Sequence, residues 1–113
     1  MEIEIRIALE SDFSEIYRFI KIELGYANLN ETETKKRLSI FAKNDNWATF
    51  VAVYDGALVG FVGITKGMAY NIDGCYSQIM ALAVLEKYQN AGIGTALLKK
   101  AEEWSLSQGI VDI

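Results

Sequence analysis

The residues best placed to do chemistry lie between Gln78 and Leu98, where the apolar run Ile79-Met80-Ala81-Leu82-Ala83-Val84 passes through a polar turn into a helix opened by Gly92 and Gly94. The first amides of a helix have no acceptor inside it, and residues without side chains let a ligand come close to them. Gln89-x-x-Gly92-x-Gly94 therefore reads as a cradle for an anion, with the shape that suits a pyrophosphate. The bland alternative is that the two glycines only permit a tight strand-to-helix connection. Two other phosphate motifs fail here. A P-loop needs Gly, four residues and then Gly-Lys-Ser/Thr, and a dinucleotide fingerprint needs a third glycine where Leu97 stands.

The rest of the inventory narrows the chemistry further. The 113 residues include no histidine and one cysteine. Ser–His and Cys–His nucleophile pairs and imidazole zinc sites are excluded, a four-cysteine site fails on count, and no metal site is expected. Any general base must be Asp, Glu, Tyr, Lys, a chain terminus or a relayed water. Cys75 cannot form an internal disulfide, which agrees with a reducing compartment, and it is expected to be a small buried apolar residue. A net charge of −4 and a sequence pI near 4.8 argue against nucleic acid as a partner. No signal peptide or membrane span is visible, so a cytoplasmic protein with no membrane partner is expected. Hydrophobic residues at 51% and aromatics at 12% suit one folded domain over residues 1–113.

The elements that must position the glycine turn can be read from periodicity. Ile3, Ile5 and Ile7 alternate with Glu4, Arg6 and Ala8 as in a half-buried strand. Ser11 and Asp12 start a helix, Ser14 and Glu15 are placed to cap it, Phe13, Ile16, Tyr17, Ile20 and Leu24 form its core face, and Gly25 ends it. A second helix runs from Asn30 to Ala42, anchored by Leu38 and Phe41. Thr49–Tyr54 and Ala57–Thr65 flank Asp55-Gly56, a type I′ hairpin signal. Tyr76–Val84 is the next strand, apolar on both faces from Ile79 onward as a central strand is. Gly92–Ser107 is helical, with Ile93, Leu97, Ala101 and Trp104 on one face, and Gly109 stops it. Ile110–Ile113 begins a fifth strand. The order β-α-α-β-β-β-α-β predicts an α/β sandwich on a mixed, mainly antiparallel sheet that opens into a parallel pair.

With these elements in place, Gln89-x-x-Gly92-x-Gly94 after an apolar fourth strand resembles the signature of the GNAT superfamily of acyl-CoA-dependent N-acetyltransferases, and the resemblance covers nearly the whole chain. It implies transfer of acetyl from acetyl-CoA to a primary amine of a small molecule or peptide. It assigns Gln89, Asn90, Ala91, Gly92, Ile93, Gly94 and Thr95 to the pyrophosphate loop, and Leu82, Ala83 and Val84 to the strand edge along which the pantetheine arm lies. A main-chain amide near Leu82 would meet the thioester carbonyl. A lysine-like amine titrates near pH 10.4, so deprotonating it at neutral pH costs roughly 4–5 kcal/mol, and a base or a dry, acidic pocket must meet that demand. Glu23, Tyr26, Tyr70, Asp73 and Tyr76 flank the acceptor cleft in the resembled fold, and Tyr76 is taken as the catalytic candidate beside Leu82. Lys87 is expected to be solvated or to lean toward a cofactor phosphate. Leu24-Gly25-Tyr26 is similar to the subgroup that includes aminoglycoside-type acetyltransferases. Family members continue past the fifth strand with a further helix, which carries the tyrosine that protonates the leaving thiolate. That role is not carried over, and the alternative is an acyl-CoA-binding module without turnover or a dimerising structural fragment. A fifth strand left open at Ile110–Ile113 invites a homodimer.

Overall fold

Asp55 and Gly56 turn the chain with φ values of 52° and 79°, the type I′ pair whose twist matches that of its flanking strands. They join β2 (Trp47–Tyr54) to β3 (Ala57–Gly67), the middle of a sheet with four antiparallel strands among the described residues. Its order is β1-β2-β3-β4, with β1 at Glu4–Ile7 and β4 at Tyr76–Val84. A computed structural model of the chain describes residues 2–110. The expected fifth strand, the parallel pair it would make and the proposed dimer edge thus fall on Val111–Ile113, outside the described residues. Ile110 itself is buried, and its N–H donates to the Ser105 carbonyl at 3.0 Å. Both hairpin strands run further than expected. Trp47 stacks on Phe41 with ring centroids 3.8 Å apart, and Lys66 N–H donates to the Asn46 carbonyl at 2.8 Å, so pairing continues to that end.

Helices cover both faces, which gives the expected α/β sandwich. On one face α3 (Ile93–Ser107) buries Ile93, Leu97 and Ala101, an i, i+4, i+8 row, against Phe50, Val59, Val62 and Ile64. On the other, α1 (Phe13–Arg18), the turn that follows it and α2 (Glu31–Ala42) set Phe13, Ile16, Phe19 and Leu38 against Val51, Phe61 and Ala83. The Asn30 side chain caps α2 by accepting from Glu33 N–H at 2.9 Å.

The first helical segment is not the single helix expected from Ser11 to Leu24. Glu10–Asp12 forms a 3₁₀ turn, α1 follows, and Phe19–Glu23 widens into a π turn in which Leu24 N–H donates to the Phe19 carbonyl at 3.1 Å. Apolar residues at 13, 16, 17, 19, 20, 22 and 24 are too dense for one α-helical stripe. The wider turn brings Phe19 into the core near Phe61 and leaves Ile22 exposed. Capping also differs, because Ser14 and Glu15 do not cap the helix. Instead the Asp12 carboxylate reaches back to accept from Leu9 N–H at 2.7 Å and from the Arg6 guanidinium at 2.7 and 3.1 Å, while Glu15 pairs with Arg18 at 2.7 Å. The Arg6 bonds outweigh the burial of Asp12 and, with the Leu9 amide, hold its carboxyl below the usual carboxylate range.

Candidate active site

A β-bulge in β4 shapes the site. Gly63 is paired with Ala81 and Ile64 with Ile79, so Met80 is an extra residue with no partner on β3. The bulge inverts the alternation of the strand. Ile79 packs toward α3, yet so do Leu82 and Val84, while Ala81 and Ala83 face α1. Leu85 N–H donates to the Val59 carbonyl at 2.9 Å. By the two-residue alternation of an antiparallel ladder, the polar main-chain groups of Ala83 also face β3, and those of Leu82 and Val84 face the outer edge. Among the described residues only Gln89 reaches that edge, where its Nε2 donates to the Val84 carbonyl at 3.2 Å. β4 was expected to be central and apolar on both faces. It is an edge strand among the described residues, opposite β1, and Met80 is 49% exposed.

The turn from β4 into α3 is closed by Tyr88 N–H to the Leu85 carbonyl at 2.8 Å and Gln89 N–H to the Glu86 carbonyl at 3.2 Å. Asn90 and Gly92 then take left-handed φ values of 69° and 82°. Gly92 caps α3, and its carbonyl accepts the first helical bond, from Ala96 at 3.0 Å. The N–H groups from Asn90 through Thr95 have no acceptor among the described residues. A Cβ on Gly92 would meet nothing within 4 Å, and one on Gly94 only Val84 Cγ2 at 3.9 Å. The head of a 15-residue helix thus offers open amides beside the free end of β4, an arrangement that attracts an anion. Gln89 contributes differently from the expectation, since its side chain latches the turn onto the strand. Lys87 lies over the Tyr88 ring, 5.4 Å from its centroid.

Beside the bulge, Ile20, Leu24, Tyr26, Leu29, Met80 and Ala81 line an open depression of about 420 Å³. The π turn delivers Ile20 and Leu24 to it, and the Gly25 bend carries the chain on to Tyr26. The Tyr17 hydroxyl ties the next segment down by donating to the Leu29 carbonyl at 3.1 Å.

Of the residues expected around the acceptor, Tyr26 is brought to the depression. Glu23 lines a separate hollow with Glu15, Arg18 and Leu85. Tyr70 and Asp73 are exposed on the loop before β4. Tyr76 is not brought to Leu82: six residues of strand separate them by roughly 20 Å, and the Tyr76 ring lies against Gly67 of β3. Cys75, expected to be buried, is exposed. Met80 was missed because an all-apolar run gives no sign of which residue bulges, and Leu29 because a single apolar residue in a polar loop carries no periodicity. Among the described residues there is no group of three or more His, Cys, Asp or Glu that could hold a metal ion, and no helix is long and apolar enough to cross a membrane.

The family model described as the acetyltransferase (GNAT) family matches residues 8–113. The chain belongs to the GNAT acetyltransferases. A GNAT family acetyltransferase from Staphylococcus aureus superposes with a TM-score of 0.81 at 26% identity, covering 100% of this chain and 84% of that one. The aminoglycoside antibiotic 6'-N-acetyltransferase AAC(6')-Ih from Acinetobacter baumannii superposes with a TM-score of 0.86 at 15% identity, covering 98% and 76%. The structure of AAC(6')-Iy gives 0.86 at 16% identity, covering 99% and 77%. The last two likenesses concern the GNAT fold alone. No curated protein matches the chain.

Proposed function

We propose that this GNAT acetyltransferase uses acetyl-CoA and transfers its acetyl group to a primary amine of a small molecule or peptide. The observation that carries the proposal is the run of open amides from Asn90 to Thr95, set at the head of α3 and directly beside the outer edge of β4. The residues suit the cofactor: donors without an acceptor among the described residues for a diphosphate, space beyond Gly92, and the Leu82 main-chain groups and Val84 N–H turned outward for an extended arm, the Val84 carbonyl being held by Gln89. Support also comes from AAC(6')-Iy, whose structure is in complex with the bisubstrate analog CoA-S-monomethyl-acetylneamine.

Bound acetyl-CoA supplies an acyl group activated as a thioester. The chain then does three things. The amides from Asn90 to Thr95 hold the diphosphate through charge-assisted bonds, with the α3 dipole adding roughly 0.3–1 kcal/mol. The Leu82 amide, fixed by the ladder just past the bulge, donates to an acyl oxygen and stabilises charge developing there. Ala81 and Met80 form the floor on which the amine approaches, and burial against apolar walls favours its neutral, nucleophilic form. Tyr26 replaces Tyr76 as the tyrosine at the acceptor position.

Calorimetry with CoA and a thiol-release assay over a panel of amines test the proposal. CoA binding accompanied by amine-dependent thiol release is expected. Absence of CoA binding by folded protein overturns it.

A further inference from the structure

We propose that the depression beside the β4 bulge selects an acceptor carrying one amine on an apolar, flat body, and disfavours polycationic amines. The inference rests on the acetyltransferase function proposed above and narrows its substrate class. The one polar side-chain group among the six lining residues is the Tyr26 hydroxyl, and none is a carboxylate. Glu23, expected at the acceptor cleft, lines the other hollow, where Arg18 is paired with Glu15. A polycation placed here would lose water from several ammonium groups with no carboxylate among the described lining residues to replace it. A single amine is affected differently. The transfer forms one C–N bond, breaks the thioester C–S bond and passes the amine's proton to the released thiol, so the amine must first be neutral, and an apolar wall shifts it that way.

The wall also has a shape preference. Tyr26 is 62% exposed and Met80 49% exposed, so a phenol face and a thioether are both available to a ligand, and these surfaces favour aromatic partners. Because Ala81 immediately precedes Leu82, a body held against Met80 and Tyr26 has its amine next to the outward-facing Leu82 amide.

The test is a titration of protein labelled in its methionine methyl groups, in the presence of CoA, with phenethylamine, neamine and spermidine. Three methionines make the spectrum simple to assign. Phenethylamine is expected to shift the Met80 methyl signal at concentrations at least tenfold below either polycation, and Tyr26→Ala to weaken that shift about tenfold. Met80→Glu, at a half-exposed position, removes that reporter and is read by calorimetry instead, where it is expected to narrow the preference for phenethylamine over spermidine. If neamine or spermidine binds more tightly, or if no amine moves the Met80 signal, the inference is overturned while the acetyltransferase proposal stands. CoA binding, read separately by calorimetry, reports on that proposal alone.

Discussion

Replacing Gly94 by alanine separates a glycine kept for a ligand from one kept for the fold. Gly94 lies in the first turn of α3 without a positive φ, and the added methyl meets Val84 Cγ2 at 3.9 Å, an ordinary contact. The fold therefore accepts alanine. Lower freedom in the unfolded chain and higher helix propensity should stabilise the variant by roughly 0.4–1 kcal/mol, a rise in Tm of about 2–6 °C. For a ligand the same methyl is an obstruction, because it adds bulk within the run of open amides, beside Val84. Losing one charge-assisted hydrogen bond there costs roughly 1.5–3 kcal/mol, or about 10- to 150-fold in Kd. A thermal melt and a CoA titration on the same sample give both numbers. Higher Tm with weaker CoA binding is the expected pair. Higher Tm with unchanged affinity would refute the reasoning, leaving the glycine a feature of the connection only. Gly92→Ala is the companion variant: its methyl has open space but inherits a φ of 82°, a strain of about 1–2 kcal/mol, so stability and affinity should both fall.

Gly60→Ala should destabilise by roughly 1–3 kcal/mol in urea unfolding, since its Cβ would sit 2.8 Å from the Ala83 carbonyl and 3.2 Å from Leu97 Cδ1. The Asp12 carboxyl is held below its ordinary value, chiefly by Arg6, so its contribution is present in full above the unfolded value of about 3.9 and is lost as pH falls through the lower folded value. Arg6→Ala should therefore cost roughly 1–3 kcal/mol at pH 7 and flatten the acid limb of a urea-midpoint profile; an unchanged acid limb would count against the pair. Tyr17→Phe removes the bond to the Leu29 carbonyl at a cost of roughly 0.5–1.5 kcal/mol, and hydrogen exchange at the Tyr26 and Leu29 amides should quicken more than in α3.

Legibility in the sequence followed how local each determinant is. The Asp55-Gly56 turn, the start of α2 at Asn30 and the Ile93-Leu97-Ala101 row each carry their signal within a few residues, and each stands where the pattern put it. Gly92 and Gly94 likewise lie at the head of α3. The bulge at Met80 could not be read, because Ile79 through Val84 is apolar throughout and a one-residue slip leaves such a run unchanged. The π turn was hidden for a related reason, since the crowded apolar positions from Phe13 to Leu24 satisfy more than one helical period and packing against Phe61 decides among them. The bond from Arg6 to Asp12 spans six residues, beyond the reach of the local pattern that starts a helix at Ser11 and Asp12. Tyr76 and Leu82 share one strand, and the distance along it separates residues that the family resemblance had placed at one cleft.

A titration of ¹⁵N-labelled protein with CoA observes the amides themselves. If the open donors at the head of α3 grip a diphosphate, the largest shifts fall on Asn90 through Thr95, with a second set at Leu82 and Val84 along the outer edge of β4. Saturation with CoA that leaves the Asn90–Thr95 amides unmoved, or that concentrates its shifts elsewhere, would contradict it.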